Sequence, residues 1–330
     1  MRAYRCHAFG DYRDLTIEDL PSPKPGVGEV HLRIKTAGVG FVEMLMVQGK
    51  YQLKPELPFT PGGECTGEVI SVGEGVSEFK PGDIVMGGGN LGIGVGIYSD
   101  EVVVPVSNCR LLPKPFSLDE GAAFMSAYKT AHVALTARGN LQTGETLLVH
   151  GAAGGVGLAA VEVGKVLGAR VIATGGSDEK LAVVKQMGAD HVINYNTGPF
   201  KDEVKALTGG RGADVIYDPV GGDVFDQSVR CIAPFGRLLI IGFTSGRIPT
   251  VPVNMPLIKQ FSVVGVRAGE YGRAFPEGGR RSTEELMKWA NAGRLHPHIH
   301  AKFPFDKLPE AFDEIASRKV VGRIVLEVNP

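Results

Sequence analysis

The sequence predicts an α/β protein in which a doubly wound parallel sheet is inserted into a β-rich domain. Three patterns predict this fold: short alternating strands in the first part of the chain, a regular strand–helix alternation after it, and a glycine-rich turn where that alternation begins. With 330 residues, the chain is long enough for two domains. The expected domains are residues 1–122 with 268–330, and residues 123–267.

Composition and charge are those of an ordinary globular protein. Hydrophobic residues make up 43% and charged residues 22%, and the formal net charge of −1 gives no global attraction for nucleic acid or an anionic membrane. No apolar run approaches the ~20 residues of a membrane span, and the N-terminus lacks a signal-peptide pattern, so we expect a cytoplasmic protein. Cys6, Cys65, Cys109 and Cys231 are far apart, which predicts free thiols rather than metal ligands.

Short strands separated by proline and glycine fill the first part of the chain. Val30, Leu32 and Ile34 alternate with polar residues, so they share one face of a strand. Many short strands joined by turns predict a small barrel or sandwich. The predicted strands are 29–35, 66–72, 83–86 and 101–104.

From residue 146 onward, strands and helices alternate. This pattern predicts a parallel sheet with helices on both faces. A helix over 119–138, with acidic residues at its start and Gly139 at its end, is expected to link the domains. The predicted strands are 147–150, 170–174, 191–194, 213–217, 237–242 and 261–266, and the helices are 156–167, 178–187, 200–207 and 223–233.

The tail is expected to return to the first domain, which leaves a cleft between the domains as the active site. Its predicted elements are a helix over 282–292, an extended stretch over 299–305, a helix over 308–317 and a strand over 323–328.

A glycine-rich turn follows the first strand of the alternating region. The apolar run Leu147–Val149 leads into Gly151, Gly154 and Gly157, spaced three apart, and Gly155 adds a fourth glycine. A strand, a glycine turn and a helix in this order are typical of a dinucleotide site, because a pyrophosphate can approach the bare backbone and the helix N-terminus. Glycine required for backbone reasons alone is the alternative, and the strands and helices that follow weigh against it. The second domain is therefore predicted to be a Rossmann domain.

The end of the second strand predicts which nicotinamide is used. NAD-selective sites usually carry an acid there, whereas this strand ends in glycine, with Asp178 and Glu179 placed later as first-turn helix residues. Gly175 leaves room for a 2′-phosphate, Ser177 can donate to it and Lys180 can pair with it. We therefore predict NADPH, the alternative being that Lys180 is a solvated lysine on the helix surface.

Several short motifs occur along the chain in a characteristic order. They are Gly49-Lys50-Tyr51, Pro61-Gly62-Gly63-Glu64-Cys65-Thr66-Gly67, Lys80-Pro81-Gly82-Asp83, Ser126-Ala127-Tyr128-Lys129-Thr130-Ala131, His150 through Gly157, Asn194-Tyr195 and Gly322-Arg323-Ile324-Val325-Leu326. Together these motifs resemble one family, the zinc-independent medium-chain dehydrogenase/reductases, in their NADPH:quinone oxidoreductase (zeta-crystallin-like) branch. The resemblance covers essentially the whole chain and implies a GroES-like catalytic domain around the inserted Rossmann domain.

The resemblance implies roles for particular residues. Tyr51 is expected near the nicotinamide and the substrate pocket, as a hydrogen-bond donor or as a packing aromatic residue. The implied cofactor contacts are Ala153, Gly154, Gly155 and Val156 for the pyrophosphate; Gly175, Ser177, Lys180 and Tyr195 for the 2′-phosphoadenosine; Thr130, Gly242, Phe243, Thr244 and Val266 for the nicotinamide; and Arg318 from the tail.

No zinc site is expected. The zinc alcohol dehydrogenases that resemble this chain carry histidine where Gly63 stands and a cysteine within the segment 37–40, and residues 86–98 form a glycine-rich loop instead of their cysteine-rich lobe. One departure concerns the family pattern Asn-Phe-x-Asp, which here begins with Gly40 and ends with Glu43. Gly40 has no side chain for hydrogen bonding, and Glu43 is expected to fasten the domain or to act as a pocket acid.

The resemblance implies NADPH-dependent reduction of quinones. Two alternatives remain: reduction of an enone or enoyl thioester, and NADPH binding without catalysis.

Strand 261–266 is a candidate sheet edge for a homodimer. His296, His298 and His300 alternate and could mimic a metal site, but a surface strand is the expected reading because Pro297 interrupts them.

Overall fold

Two large β-sheets organise the part of the chain that this computed structural model describes, residues 1–88 and 96–329. The chain divides into two units, residues 1–126 with 296–330, and residues 127–295. Most of the predicted glycine-rich loop at 86–98 lies outside the described residues.

The strands are β1 Arg2–Arg5, β2 Thr16–Asp19, β3 Glu29–Val39, β4 Glu64–Val72, β5 Ile84–Gly88, β6 Glu101–Pro105, β7 Cys109–Leu111, β8 Thr146–Val149, β9 Arg170–Gly175, β10 His191–Asn194, β11 Ala213–Asp218, β12 Ile232–Ile240, β13 Ser262–Gly265, β14 Ile299–Pro304 and β15 Arg323–Glu327. The helices are α1 Phe41–Val47, α2 Leu118–Ala122, α3 Met125–Val133, α4 Gly155–Val166, α5 Asp178–Gln186, α6 Phe200–Leu207, α7 Gly222–Cys231, α8 Asn254–Lys259, α9 Ala268–Ala274, α10 Pro276–Asn291 and α11 Leu308–Ala316.

The sheet of the first unit is built around β3. Val30, Leu32 and Ile34 are fully buried, as their alternation predicts. The strand order is β14-β15-β3-β4-β5-β7, and β6 also pairs with β3. β15 pairs antiparallel with β3, which confirms that the tail returns to the first domain.

The sheet of the second unit is entirely parallel and has the order β10-β9-β8-β11-β12-β13. Counted from β8, this is the 3-2-1-4-5-6 order of a Rossmann domain. β8 is buried on both faces, since Leu147, Leu148 and Val149 have no exposed surface. The predicted doubly wound sheet is therefore confirmed, and the strand order reverses between β8 and β11.

The single helix predicted over 119–138 is wrong. α2 ends at Ala122 and α3 begins at Met125, and α3 continues as a π-helical turn over Ala134–Arg138. The residues between them are fully buried, and the Phe124 ring packs 5.1 Å from that of Phe116. The helix is interrupted at Ala123 and Phe124. Because both residues are apolar, the helical periodicity of the sequence does not reveal the interruption.

The second unit extends further along the chain than the predicted boundary at residue 267. α10 begins at Pro276 rather than at residue 282, because a proline at the first position suits a helix start. Leu286 and Ala290 are buried, and the His132 ring of α3 contacts Ser282 and Glu285 of α10. These contacts place the segment with the nucleotide-binding sheet. No helix of the described residues is long and apolar enough to cross a membrane.

Candidate functional site

Most residues expected to hold the cofactor follow the carboxyl ends of the parallel strands. In an open parallel sheet, ligands bind at this edge, at the point where the strand order reverses. Here that point lies between β8 and β11, so the loops after these two strands are the centre of the candidate site.

The glycines after β8 are glycine for different reasons. Gly151 has a φ of 54°, in the left-handed region that favours glycine. A Cβ at Gly157 would stand 2.7 Å from the Cα of Ala152, so glycine lets α4 pack onto the turn. Gly154 has an ordinary φ of −75°, and a Cβ there would meet only the Gly151 carbonyl oxygen, at 3.4 Å. Neither backbone nor packing requires glycine at 154, which fits a bound group that approaches the chain.

The N-terminus of α4 offers donors to such a group. Gly154 is the N-cap residue, and no side chain caps the first N–H groups of this twelve-residue helix. Uncapped N–H groups and the helix dipole together favour an anion. The predicted pyrophosphate residues Ala153, Gly155 and Val156 lie in this turn and in the first turn of the helix.

Residues expected to bind the 2′-phosphoadenosine come together after β9. A Cβ at Gly176 would lie 3.0 Å from the Tyr195 hydroxyl oxygen, so this ring lies against the bare backbone. The Tyr195 N–H donates to the Gly175 carbonyl over 3.1 Å. Ser177 is the N-cap of α5, and its hydroxyl accepts from the Lys180 N–H at 3.3 Å. Asp178 lies in the first turn of α5, as predicted, where Asn194 donates to its carboxylate.

The loops after β11 and β12 are tied to each other. Both the N–H and the hydroxyl of Thr244 donate to the Pro219 carbonyl, each over 3.1 Å. A Cβ at Gly221 would lie 2.9 Å from the Phe243 ring. After β13, the Val266 N–H donates to the Ile240 carbonyl over 3.0 Å. The predicted residues of these loops therefore share the carboxyl edge of the sheet with the glycine turn.

Sequence reasoning missed Asp218, at the end of β11. One oxygen, Oδ1, accepts from the N–H groups of Val220 and Gly221, over 2.8 and 2.9 Å. The other oxygen, Oδ2, is buried and has no partner among the described residues. Burial raises the pKa of Asp218, although the two N–H groups oppose the shift. An aspartate three residues before the Gly221-Gly222 pair signals this kind of turn and could have identified it.

His150 is a structural residue between two strands and a helix. It is fully buried, its Nδ1 lies 2.8 Å from the Thr174 hydroxyl and its Nε2 lies 2.8 Å from the Ser228 hydroxyl. Because Ser228 donates to the Val224 carbonyl, its oxygen is left to accept from His150, so Nε2 carries the proton. Burial lowers the pKa of His150 to about 3.

Thr130 lies half-buried on α3, which is fastened to α4 within the same unit. The Tyr128 hydroxyl of α3 donates to the buried Glu162 carboxylate of α4. The helix that carries Thr130 is thus joined to the helix that begins at the glycine turn.

In the first unit, one guanidinium is paired with one buried carboxylate and lies near a second. Arg323 of β15 donates to Glu64 at the start of β4, and the other Glu64 oxygen accepts from the Ser126 N–H at 2.9 Å. Glu43 of α1 is 5% exposed, and burial raises its pKa, although the charge of the same guanidinium opposes this shift. Burial likewise raises the pKa of Glu64. Sequence reasoning singled out Glu43 but not its partners.

The remaining predicted residues of the first unit are on its surface. Tyr51 is half-buried and follows α1, and Arg318 is exposed just after α11, with a left-handed φ of 59°. Of the three alternating histidines, only His300 lies on β14, because that strand begins at Ile299. Within residues 1–88 and 96–329, no group of three or more His, Cys, Asp or Glu residues could hold a metal ion.

The chain matches two families whose order along the sequence follows the two units. Residues 26–114 match the alcohol dehydrogenase GroES-like domain, and residues 155–290 match the family described as zinc-binding dehydrogenase. The chain is 40% identical to the quinone oxidoreductase-like protein 2 homolog of Nematostella vectensis, over 99% of this chain and 89% of that protein.

Solved structures with the same fold include enzymes with different acceptors. The Escherichia coli quinone oxidoreductase complexed with NADPH has a TM-score of 0.89 at 27% identity, over 99% of this chain and 100% of that one. The CurK enoyl reductase has a TM-score of 0.88 at 28% identity, over 99% of each chain. This protein belongs to the quinone oxidoreductase-like branch of the medium-chain dehydrogenase/reductase superfamily of oxidoreductases.

Proposed function

We propose that the protein is an NADPH-dependent quinone oxidoreductase that needs no zinc. The observation that carries the proposal is Gly154, a glycine that its own backbone and packing do not require, at an uncapped helix N-terminus. The acid-free end of β9 supports NADPH over NADH, since Ser177, Lys180 and the Tyr195 ring all lie around it.

The residues of this chain would bind, orient and shield the reactants. When bound, the reduced nicotinamide supplies the hydride that an electron-poor acceptor takes up. The turn from Ala153 to Val156 would hold the pyrophosphate, and Thr130, Val266 and the loop 242–244 would fix the nicotinamide end. We assign Arg318 a contact with the cofactor from the tail of the chain.

Tyr51 is the residue we propose as a hydrogen-bond donor to the acceptor oxygen. A quinol oxygen can take its proton from water, so a strong protein acid is not needed. Tyr51→Phe keeps the ring and removes the donor, and we expect turnover to fall about tenfold with the Michaelis constant for NADPH unchanged. Unchanged turnover would leave Tyr51 as a packing residue only.

The first unit does not fit a catalytic zinc. Position 63 is glycine, and at position 40 a cysteine Cβ would lie 2.5 Å from Glu43 Oε2 and 3.0 Å from Arg323 Nη1. A thiolate and an imidazole are therefore both missing from the donor set that zinc prefers. We expect a chelator to leave activity unchanged.

An NADPH-oxidation screen tests the proposal. The purified protein is given quinones, enones and an enoyl-CoA, each with NADPH and with NADH. We expect the highest kcat/KM with a quinone and a lower KM for NADPH than for NADH. Equal constants for the two nicotinamides would contradict the choice of NADPH.

Reduction of an enone or enoyl thioester is the second candidate, favoured by the likeness to the CurK enoyl reductase. The same scaffold delivers hydride to a conjugated acceptor in both cases, so only the screen separates them.

The third candidate is NADPH binding without catalysis. Gly40 supports this candidate, because glycine lacks the hydrogen-bonding side chain of the asparagine that the family has at this position. Tight NADPH binding with no turnover across the screen would favour it.

We also propose a homodimer that forms through β13. This strand is an edge of the six-stranded sheet, and Val263 on it is 40% exposed. Val253, Leu257 and Ile258, in and beside α8, are 85%, 76% and 70% exposed, an apolar surface that a second copy would cover. A sedimentation experiment that shows only monomer would contradict the dimer.

We propose a cytoplasmic location. The four cysteines are free and buried, which supports it.

A further inference from the structure

Gly40 stands where the backbone does not need glycine. Its φ of −136° and ψ of 167° are extended values that any residue adopts. It is the N-cap residue of α1, a position where asparagine, aspartate and serine are favoured for their side-chain oxygens. Backbone conformation and capping preference therefore both allow a side chain at this position, and another cause must exclude one.

The space for a side chain at position 40 is filled by Glu43. An added Cβ would lie 2.5 Å from Glu43 Oε2 and 3.0 Å from Arg323 Nη1. Burial raises the pKa of Glu43, and the Arg323 charge and the backbone N–H groups of Glu43 and Gly40 oppose this shift. If the buried carboxyl swung aside, it would lose these favourable interactions, so the movement is costly.

We propose that Gly40 and Glu43 are a coupled pair: the Glu43 carboxyl takes the space of a side chain at position 40 and, with Arg323, fixes the start of α1 and thereby Tyr51. Glu43 is the third residue of α1, the position that the acid of a capping box occupies. The connection to Tyr51 is short, because α1 ends at Val47 and the Lys50 N–H donates to the Leu45 carbonyl over 2.8 Å.

A double-mutant cycle on folding tests the coupling. Gly40→Asn, Glu43→Asp and the double variant are unfolded in urea, with Gly10→Ala as the control, since a Cβ at Gly10 meets nothing within 4 Å. In the native background we expect Gly40→Asn to lower the folding equilibrium constant at least tenfold. With Glu43→Asp, which shortens the carboxyl side chain by one methylene, we expect Gly40→Asn to raise it instead, since asparagine is the better cap. The same effect in both backgrounds would overturn the coupling.

The positioning of Tyr51 rests on the proposed function and has its own readout. We expect Glu43→Asp to lower kcat about tenfold and to raise KM for the quinone, with KM for NADPH unchanged, and the double variant to recover most of the kcat. Loss of kcat without recovery in the double variant would overturn this part. A wild-type protein that turns over no acceptor would end the proposed function, and the folding cycle would still decide the coupling.

Discussion

The Tyr195 hydroxyl oxygen lies 3.0 Å from the point where a Cβ at Gly176 would stand, and the Tyr195 Cε2 lies 3.4 Å from it. This contact joins the loop after β10 to the loop after β9, where we propose that the 2′-phosphoadenosine binds. The ring has no room to move toward the backbone, so a side chain at position 176 must push it outward.

Gly176→Ala should therefore weaken NADPH binding by displacing Tyr195. We expect the dissociation constant for NADPH to rise about five- to tenfold, which corresponds to about 1–1.4 kcal/mol of binding free energy, with little change in the free energy of unfolding. Gly198→Ala is the matched control, because a Cβ there meets nothing within 4 Å. Fluorescence titration with NADPH measures both variants, and equal affinities would remove Tyr195 from the proposed site.

Lys180→Ala should change cofactor preference rather than overall affinity for nicotinamides. A hydrogen bond to a charged group contributes about 1.5–3 kcal/mol, so we expect KM for NADPH to rise at least tenfold and KM for NADH to stay constant. Lys185→Ala removes the same charge from the same helix, where its ammonium donates to the Asp190 carbonyl over 2.5 Å. If both variants lose the preference for NADPH equally, the effect comes from the overall charge of α5 and not from a contact between Lys180 and the 2′-phosphate.

His150 should make the folded state less stable as the pH falls. Its folded pKa is lowered to about 3, so between that value and its ordinary pKa of 6.5 the unfolded chain binds more protons than the folded one. The stabilisation is complete above about pH 6.5 and declines by about 1.4 kcal/mol for each pH unit below it. Urea unfolding of wild type and His150→Gln at pH 7.5, 6.0 and 5.0 isolates this contribution, because the other groups are common to both. If the free energy of unfolding falls equally with pH in the wild type and in His150→Gln, His150 does not remain neutral in the folded protein.

Periodicity and glycine placement predicted most of the fold. The central strands of the nucleotide-binding sheet are predictable because both are buried, and each contains a short apolar run, Leu147–Val149 in β8 and Val215–Tyr217 in β11. The break between α2 and α3 was missed because Ala123 and Phe124 are apolar residues whose burial ends the helix through packing. Such packing involves residues that are far apart in the sequence, so a short stretch of sequence cannot predict it.

The parts of the candidate site that a local turn forms can be predicted from the sequence. The parts that residues far apart in the sequence form cannot. The turn from Gly151 to Gly157 can be recognised from its glycine spacing together with the strand before it and the helix after it. The collision that excludes a side chain at Gly40 involves Arg323, which is brought to α1 only when β15 pairs with β3. Asp218 was missed because nothing in its own strand distinguishes a buried, half-satisfied carboxylate from an exposed one.

The NADPH affinity of Gly154→Ala tests the central claim most directly. The φ of −75° and the 3.4 Å distance to the nearest atom mean that the fold tolerates the added methyl, so the urea midpoint should move little. If the backbone at Gly154 approaches a pyrophosphate, the dissociation constant for NADPH in a fluorescence titration should rise at least tenfold. A variant that folds normally and binds NADPH as tightly as wild type would contradict the account.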